Sequence, residues 1–363
     1  MTTYTLAEIA QALGAEALGD ETLVLRGLSE PQNAAHDQLA LAFSEAAAAD
    51  LSAAAEAALL WSDADWKALG LKGAICAPRP RFSLGPLSKM FDEGPKIGSG
   101  VHPSAVIDPS AVIGKGASVG PFVVIGADVV VGDNAQIGAH TTIGYGTKIG
   151  ARALIHAGVN IGHKVTIGDD FTCQSGTVIG SDGFSFVTPD KAPTEQIRET
   201  LGERGATAGQ HWTRIHSLGS VTIGDQVDIG ANTCIDRGTI RDTKIGNRTK
   251  IDNFVQLAHN AVVGEDCLLC GASGVAGSST LGDRVVLAGQ SGVVDNVTVG
   301  DDVILSGSGK IRTNQPAGRV LMGDPAIPMK SGIEQYKALR RLPRLAKDVA
   351  ALKKAPTSDI DNS

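Results

Sequence analysis

Histidine is the side chain best suited to proton transfer near neutral pH, and the sequence contains eight histidines. They are His36, His102, His140, His156, His163, His211, His216 and His259. The spacing of His140, His156 and His163 does not fit three imidazoles that converge on zinc. His259 differs by its setting in residues 251–260, where it is expected to point away from the core. A general base and a solvated surface histidine both fit this position.

Cysteine chemistry is the second possibility, because Cys267 and Cys270 form a CxxC motif. A structural zinc site needs four ligands, and no second cysteine pair lies nearby to supply them. The alternative is that Cys267 fills a position for a small residue in the core. The total of five cysteines, an odd number, argues against a disulfide framework. No metal site is predicted.

These candidates lie within a repeat of six residues. An aliphatic residue or cysteine occupies every sixth position over residues 101–179, and glycine often follows it. The period resumes at Ile223, slips near Arg241, and holds again from Ile245 to Ile311. Neither a helix nor an ordinary strand has this period, so each hexad is expected to be a short strand followed by a corner. Fixed short periods are typical of solenoids.

The hexads predict the architecture of most of the chain. Three strands and three corners return the chain above its start, with parallel hydrogen bonds to the coil below. The 29 hexads give about ten triangular coils. The predicted fold is mainly β, with a parallel β-helix over residues 101–313. Periodicity does not set its handedness.

Two other regions flank the predicted β-helix. Residues 1–100 are expected to form a small α/β domain, with helices at residues 6–13 and in the alanine-rich stretch 44–60. Residues 314–363 are expected to form a helical extension, with a capping box at Ser331 and a second helix from Pro343. Residues 330–354 carry eight basic and two acidic residues. An acidic partner and a solvated helix face both explain that charge.

The period disappears over residues 184–217, which predicts an inserted loop or hairpin. Its charged segment TEQIRETLGER and its prolines and glycines are typical of a surface excursion. Phe184 and Phe186 stand at its start, where they either flank a substrate or anchor the loop.

Composition agrees with a soluble cytoplasmic protein. Hydrophobic residues make up 42% of the chain, charged residues 20%, and the net charge is −7. The first residues lack a basic start followed by an apolar run, and no stretch approaches 18 uninterrupted apolar residues. We therefore expect no secretory segment, no membrane span and no nucleic-acid partner.

Four motifs carry a specific resemblance. They are TCIDRG at residues 233–238, IDN at 251–253 followed by QLAHN at 256–260, GVAGS at 274–278, and GSDGF at 180–184. Together they resemble the UDP-3-O-acylglucosamine N-acyltransferases of lipid A biosynthesis, within the hexapeptide-repeat acyltransferase superfamily. The resemblance extends to the N-terminal domain and the helical tail. It implies a left-handed β-helix, a homotrimer, and a cytoplasmic location that allows peripheral association with the inner membrane.

The resemblance also implies a reaction. A 3-hydroxyacyl chain moves from acyl carrier protein to the 2-amine of UDP-3-O-acyl-glucosamine. No cofactor resides on the enzyme, because the 4'-phosphopantetheine arrives on the carrier. His259 is the expected general base, Asp252 the residue that orients it, and Gly277 the backbone donor to the oxyanion.

Substrate-binding residues follow from the same resemblance. Asp182, Phe184 and Phe186 are expected to contact substrate, and Asn296 stands where the family has a second histidine. An amide can hydrogen-bond there but cannot serve as a base.

In the N-terminal domain the family holds the uridine with an aromatic residue, an asparagine and a tyrosine. Leu41, Ser44 and Ala47 stand at those positions, so Phe43 is the candidate for stacking on the base.

The basic tail is expected to dock acyl carrier protein through Arg340, Arg341 and Arg344. Three other functions stay open: a related enzyme acting on another nucleotide sugar, one that uses coenzyme A as donor, and a non-enzymatic binding scaffold.

Overall fold

The computed structural model describes residues 2–192, 209–324 and 326–354. The chain divides into two compact units, residues 1–96 and 97–363, close to the boundary expected at residue 100. The charged segment TEQIRETLGER of the inserted loop lies outside the described residues.

The N-terminal unit is an α/β fold. Its five-stranded sheet has the spatial order Ala17–Gly19, Gly73–Ala77, Ala57–Trp61, Leu39–Leu41 and Leu28–Ser29. Only the first pair is antiparallel. The remaining elements are the paired strands Tyr4–Thr5 and Val24–Leu25, the helices Leu6–Ala12, Glu45–Ala48 and Pro80–Phe91, and the 3₁₀ turn Pro31–Asn33.

The helix predicted over residues 44–60 is wrong for most of its length. Only Glu45–Ala48 is helical, and Ala57–Trp61 is a central strand paired in parallel on both sides. Residues 57–60 are fully buried in that sheet. Helix propensity is a weak preference, and pairing with two neighbouring strands overrides it.

The second unit is the parallel β-helix. Its three sheets are the three faces of a triangular solenoid, and the chain visits them in the order one, two, three. Successive strands of a face are 18 residues apart where the repeat is unbroken, as in the pairing of Val106 with Val124.

Face one contains ten strands: Val106–Ile107, Val124–Ile125, Thr142–Ile143, Asn160–Ile161, Val178–Ser181, Cys234–Asp236, Gln256–Leu257, Gly274–Val275, Gly292–Val293 and Lys310–Ile311. Face two contains nine: Val112–Ile113, Val130–Val131, Lys148–Ile149, Thr166–Ile167, Val221–Ile223, Thr243–Ile245, Val262–Val263, Thr280–Leu281 and Thr298–Val299. Face three contains ten: Ser118–Val119, Gln136–Ile137, Leu154–Ile155, Thr172–Cys173, Asp228–Ile229, Lys250–Ile251, Leu268–Leu269, Val286–Leu287, Ile304–Leu305 and Val320–Leu321.

The six-residue period places its aliphatic residues in one buried column inside the three faces. The glycines that follow them allow the coils to stack closely. A Cβ on Gly114 would lie 2.5 Å from the carbonyl carbon of Gly132 in the next coil. Cys267 is buried in this column, and its Sγ lies 3.2 Å from the Gly282 carbonyl oxygen.

The β-helix continues beyond Ile311, where the six-residue period stops. Val320–Leu321 pairs in parallel with Ile304–Leu305, and Gln315 bridges to Val299. Backbone pairing therefore outlasts the aliphatic repeat that reveals it in the sequence, because main-chain hydrogen bonds do not require a particular side chain.

A single helix, Met329–Lys354, follows. The expectations that a capping box at Ser331 opens a helix and that Pro343 begins another are both wrong, because the helix starts before Ser331 and contains Pro343. Leucine, alanine and lysine on both sides of Pro343 favour helix, and one missing N–H removes only one hydrogen bond of the ladder. No helix in the described part of the chain has the length and apolar character needed to cross a membrane.

Candidate functional site

The edge between faces one and two is where the regular repeat is broken, and we call it the inserted edge. Two excursions leave there from consecutive strands of face one. The first lies between Ser181 and Val221 and contains the antiparallel strands Phe186–Val187 and Thr213–Arg214. The second is the short segment between Asp236 and Thr243, where the period slips.

His259 lies on the inserted edge, one coil beyond the second excursion, and is half-buried. Backbone from two other segments lies close to its side chain. A Cβ on Gly277, one coil further along, would lie 2.8 Å from Cε1 and 2.9 Å from Nε2 of the imidazole. A Cβ on Gly183, in the first excursion, would lie 2.6 Å from the His259 Cβ. Both glycines are therefore required for close approach to His259.

Asn260 fixes the tautomer of His259. The Asn260 Nδ2 donates to the Arg241 carbonyl (2.8 Å), and its Oδ1 accepts from the Thr239 N–H (3.2 Å), so the amide has a single orientation. The same Oδ1 lies 3.0 Å from His259 Nδ1, which must therefore carry the proton. Nε2, the nitrogen facing Gly277, then holds a free lone pair. A neutral imidazole with this tautomer can accept a proton.

Asp252, the residue predicted to orient His259, lies at a different edge. It follows a strand of face three, whereas His259 follows a strand of face one. Its Oδ1 accepts from the Asn253 N–H at 2.7 Å. The corners of one coil point in different directions, so this chain does not bring Asp252 and His259 together. Sequence reasoning missed Asn260, although it is the final residue of the QLAHN motif.

A depression of about 460 Å³ surrounds His259, and we call it the histidine lobe. Gly277, Asn296, Phe184 and Phe186 line it, so four predicted site residues meet here with the histidine. The Asn296 N–H donates to the Gly277 carbonyl (3.1 Å), and its side chain donates to Asp295 (3.0 Å).

An adjoining depression of about 520 Å³ shares Phe184 and Phe186 with the histidine lobe, and we call it the aspartate lobe. Asp182 lines it, with a carboxylate oxygen 4.0 Å from Arg214. The Arg214 guanidinium lies 4.9 Å from the centre of the Phe186 ring. Asp236 also lines this lobe, and the sequence analysis did not single it out.

Arg237 connects the beginning of the second excursion with both ends of the first. Its side chain is 2% exposed and is the only charged one that is buried among residues 2–192, 209–324 and 326–354. Its backbone N–H donates to the Ser181 carbonyl, and its side chain donates to the carbonyls of Gly219 and His163. It also contacts both ring nitrogens of His163. Burial lowers the pKa of His163, and the charge of Arg237 lowers it further.

The other predicted residues lie elsewhere. Phe43 is half-buried and packs against the core of the N-terminal unit. Arg340, Arg341 and Arg344 are exposed on the C-terminal helix. In the described part of the chain, no three histidine, cysteine, aspartate or glutamate side chains are grouped as metal ligands.

Comparison with solved structures identifies the fold. A UDP-N-acetylglucosamine acyltransferase from Arabidopsis aligns with a TM-score of 0.51 and 22% identity, over 62% of this chain and 71% of that one. The fold is thus the left-handed parallel β-helix of the hexapeptide-repeat acyltransferases, as predicted. Residues 101–184 also match the family model described as the GMPPB C-terminal domain.

Sequence relatives define the family. A UDP-3-O-acylglucosamine N-acyltransferase from Ruegeria pomeroyi is 60% identical over 97% of this chain and 98% of its own length. One from Paracoccus denitrificans is 59% identical over 99% and 98%, respectively. The chain belongs to the UDP-3-O-acylglucosamine N-acyltransferase family.

Proposed function

We propose that this protein transfers a 3-hydroxyacyl chain from an acyl carrier protein thioester to the 2-amine of UDP-3-O-acyl-glucosamine. Family membership supports the acceptor and the reaction. The observation that supports the mechanism is the imidazole of His259, whose Nδ1 is bonded to Asn260 and whose Cε1 and Nε2 atoms lie beside Gly277 in the histidine lobe.

The reaction needs a base and an oxyanion donor. When the amine attacks the thioester, its nitrogen must lose a proton, and His259 Nε2 accepts it. Asn260 stabilises the imidazolium that forms, because the Nδ1–H remains hydrogen-bonded to Oδ1. The Gly277 N–H is the proposed donor to the tetrahedral oxyanion. Phe184 and Phe186 are proposed to flank the substrates, and Phe43 to stack on the uracil ring.

The direct test is an assay of the purified protein with acyl carrier protein and coenzyme A thioesters. Each donor is combined with 3-O-acylated and unacylated UDP-glucosamine, and mass spectrometry identifies the product. We expect an N-acylated product from the carrier thioester and the 3-O-acylated acceptor. Equal transfer from coenzyme A, or equal use of the unacylated sugar, would favour the related enzymes instead.

We propose a homotrimer, working in the cytoplasm. The C-terminal helix supports an oligomer, because apolar residues on it are exposed to solvent in the described part of the chain: Ile333 is 44% exposed, Leu342 50% and Leu339 62%. Other copies of the chain would bury this stripe and close the open depressions. Light scattering is expected to give a mass of three chains, and an active monomer would contradict the proposal.

The exposed arginines of the same helix are proposed to bind acyl carrier protein, whose surface is acidic. Changing Arg340, Arg341 and Arg344 together to glutamate should weaken carrier binding and its salt dependence, measured by surface plasmon resonance. Changing Arg152, Arg248 and Arg284 to glutamate gives a control with the same change in net charge. Equal weakening in both variants would mean that the overall charge, and not the helix, attracts the carrier.

A further inference from the structure

Asp236 takes no part in the proposed proton transfer, although it lies in the coil next to that of the proposed base. It ends the strand of face one that is paired with Gln256–Leu257, one coil before His259. Gln256 and Ala258 line the aspartate lobe with Asp236, and the next residue, His259, lines the histidine lobe. The two lobes therefore adjoin where Ala258 is followed by His259.

Asp236 is held in place by two neutral donors. The Ser181 Oγ donates to its Oδ1 (2.8 Å), and the Gln256 Nε2 donates to its Oδ2 (3.0 Å). Residues of three motifs, GSDGF, TCIDRG and QLAHN, thus converge on this carboxylate. A carboxylate has about four acceptor positions, so two hydrogen bonds leave capacity for a ligand. Burial raises the pKa of Asp236, while the hydrogen bonds from Ser181 and Gln256 oppose that change.

The other charged groups of the lobes have different partners. Arg214 lies against Asp182 and Phe186, and Asp295 accepts from Asn296. Asp236 is therefore the carboxylate in the aspartate lobe whose hydrogen bonds come only from uncharged groups. A half-buried carboxylate with only neutral hydrogen-bond partners favours a cationic or N–H-bearing ligand over a neutral hydroxyl.

We propose that Asp236 binds the acceptor's amine and makes the enzyme selective for an amine over a hydroxyl acceptor, an inference that rests on the proposed function. In the reaction, the nitrogen lone pair forms the bond to the thioester carbon, and the carbonyl electrons move to oxygen. The attacking nitrogen becomes positively charged, and Asp236 stabilises that charge without exchanging a proton. His259 removes the nitrogen proton, the oxyanion collapses, and the expelled thiolate takes the proton.

The test measures binding by calorimetry without donor, slightly below neutral pH, where the amine is protonated. The ligands are UDP-3-O-acylglucosamine and the corresponding UDP-3-O-acylglucose, which carries a 2-hydroxyl. The wild-type protein should prefer the amine, and Asp236→Asn should reduce that preference by about ten- to a hundredfold, the range for a hydrogen bond to a charged group. Binding of the hydroxyl ligand, which reports correct folding, should be retained.

Two further variants distinguish the effect of the charge of Asp236 from the effects of its hydrogen bonds and of a second carboxylate. Ser181→Ala removes a donor to Asp236 but keeps its charge, and should retain the preference for the amine. Asp295→Asn removes the carboxylate of the histidine lobe and should also retain it. The inference is overturned if Asp236→Asn weakens both ligands equally or if either of the other variants abolishes the preference. A wild-type protein that binds both ligands equally overturns only this inference, whereas one that binds neither contradicts the proposed function.

Discussion

The edge between faces two and three contrasts with the inserted edge. Here an arginine in one coil pairs with an aspartate 18 residues later, and we call this the ion-pair edge. The Nε–Oδ1 distances are 2.7 Å for Arg152 and Asp170, 2.8 Å for Arg248 and Asp266, and 2.6 Å for Arg284 and Asp302. These pairs are about half exposed and follow the uninterrupted repeat.

The inserted edge has the opposite properties. Arg237 there is buried and bonded to backbone carbonyls, and the neighbouring Asp236 is bonded to neutral side chains. A strict repeat gives each coil the same surroundings. Two excursions at one edge supply the glycines, aromatic rings and polar groups that a reaction needs.

The largest expected effect is on catalysis, and it concerns two residues of the inserted edge. His259→Ala should lower kcat by about 10²–10⁴-fold, the usual contribution of a general base, with the fold retained. Asn296→Ala should lower it at most about tenfold, because one hydrogen bond contributes ~0.5–1.5 kcal/mol. Both variants are assayed at saturating donor and checked by circular dichroism. A more damaging Asn296→Ala would reverse the assigned roles.

A substitution at Gly277 tests whether catalysis requires the close approach of its backbone to the His259 ring. Gly277→Ala places a methyl group against the imidazole ring of His259 and should lower kcat by about 10–100-fold by displacing it. Gly274→Ala is the matched control, since the nearest atom to its Cβ is a backbone oxygen at 3.9 Å. Equal activity of the two variants would mean that His259 tolerates displacement.

Alanine variants of Arg237, on the inserted edge, and of Arg284, on the ion-pair edge, show how much each arginine contributes to stability. Arg237→Ala leaves the carbonyls of Gly219 and His163 without a buried donor, each at a cost of about 1–3 kcal/mol in the free energy of unfolding. Arg284→Ala should change it little, because water screens an exposed ion pair. Urea denaturation of both variants checks the prediction, and similar midpoints would contradict it.

The smallest expected effect is a pH dependence of stability. Because the pKa of His163 is lowered in the folded state, the unfolded chain takes up a proton at higher pH than the folded chain does. The contribution of neutral His163 to the free energy of unfolding is therefore fully present above the usual histidine pKa of about 6.5. It declines as the pH falls below that value. His163→Gln should reduce this decline in denaturation midpoints measured at about pH 7.5 and about pH 5.5. An unchanged slope would assign it to other groups.

Prediction from sequence succeeded where the determinants are local. The aliphatic residue and glycine of each hexad specify a strand and a corner whatever surrounds them, so the β-helix was predictable. It failed for residues 57–61 and for Pro343, where pairing and helix propagation override the preference of single residues. The motif around His259 identified the candidate base but not its partner Asn260.

The sequence by itself determined the repeat, the outward direction of His259, and the family through its motifs. The tertiary structure decided which side chains meet there. In an unbroken solenoid, residues 18 positions apart are neighbours, but each excursion changes that spacing. Gly183 lies against His259, and Ser181 bonds to Asp236, although long stretches of sequence separate both pairs. Such contacts depend on where a non-repeating segment returns to the stack, and no local pattern encodes that position.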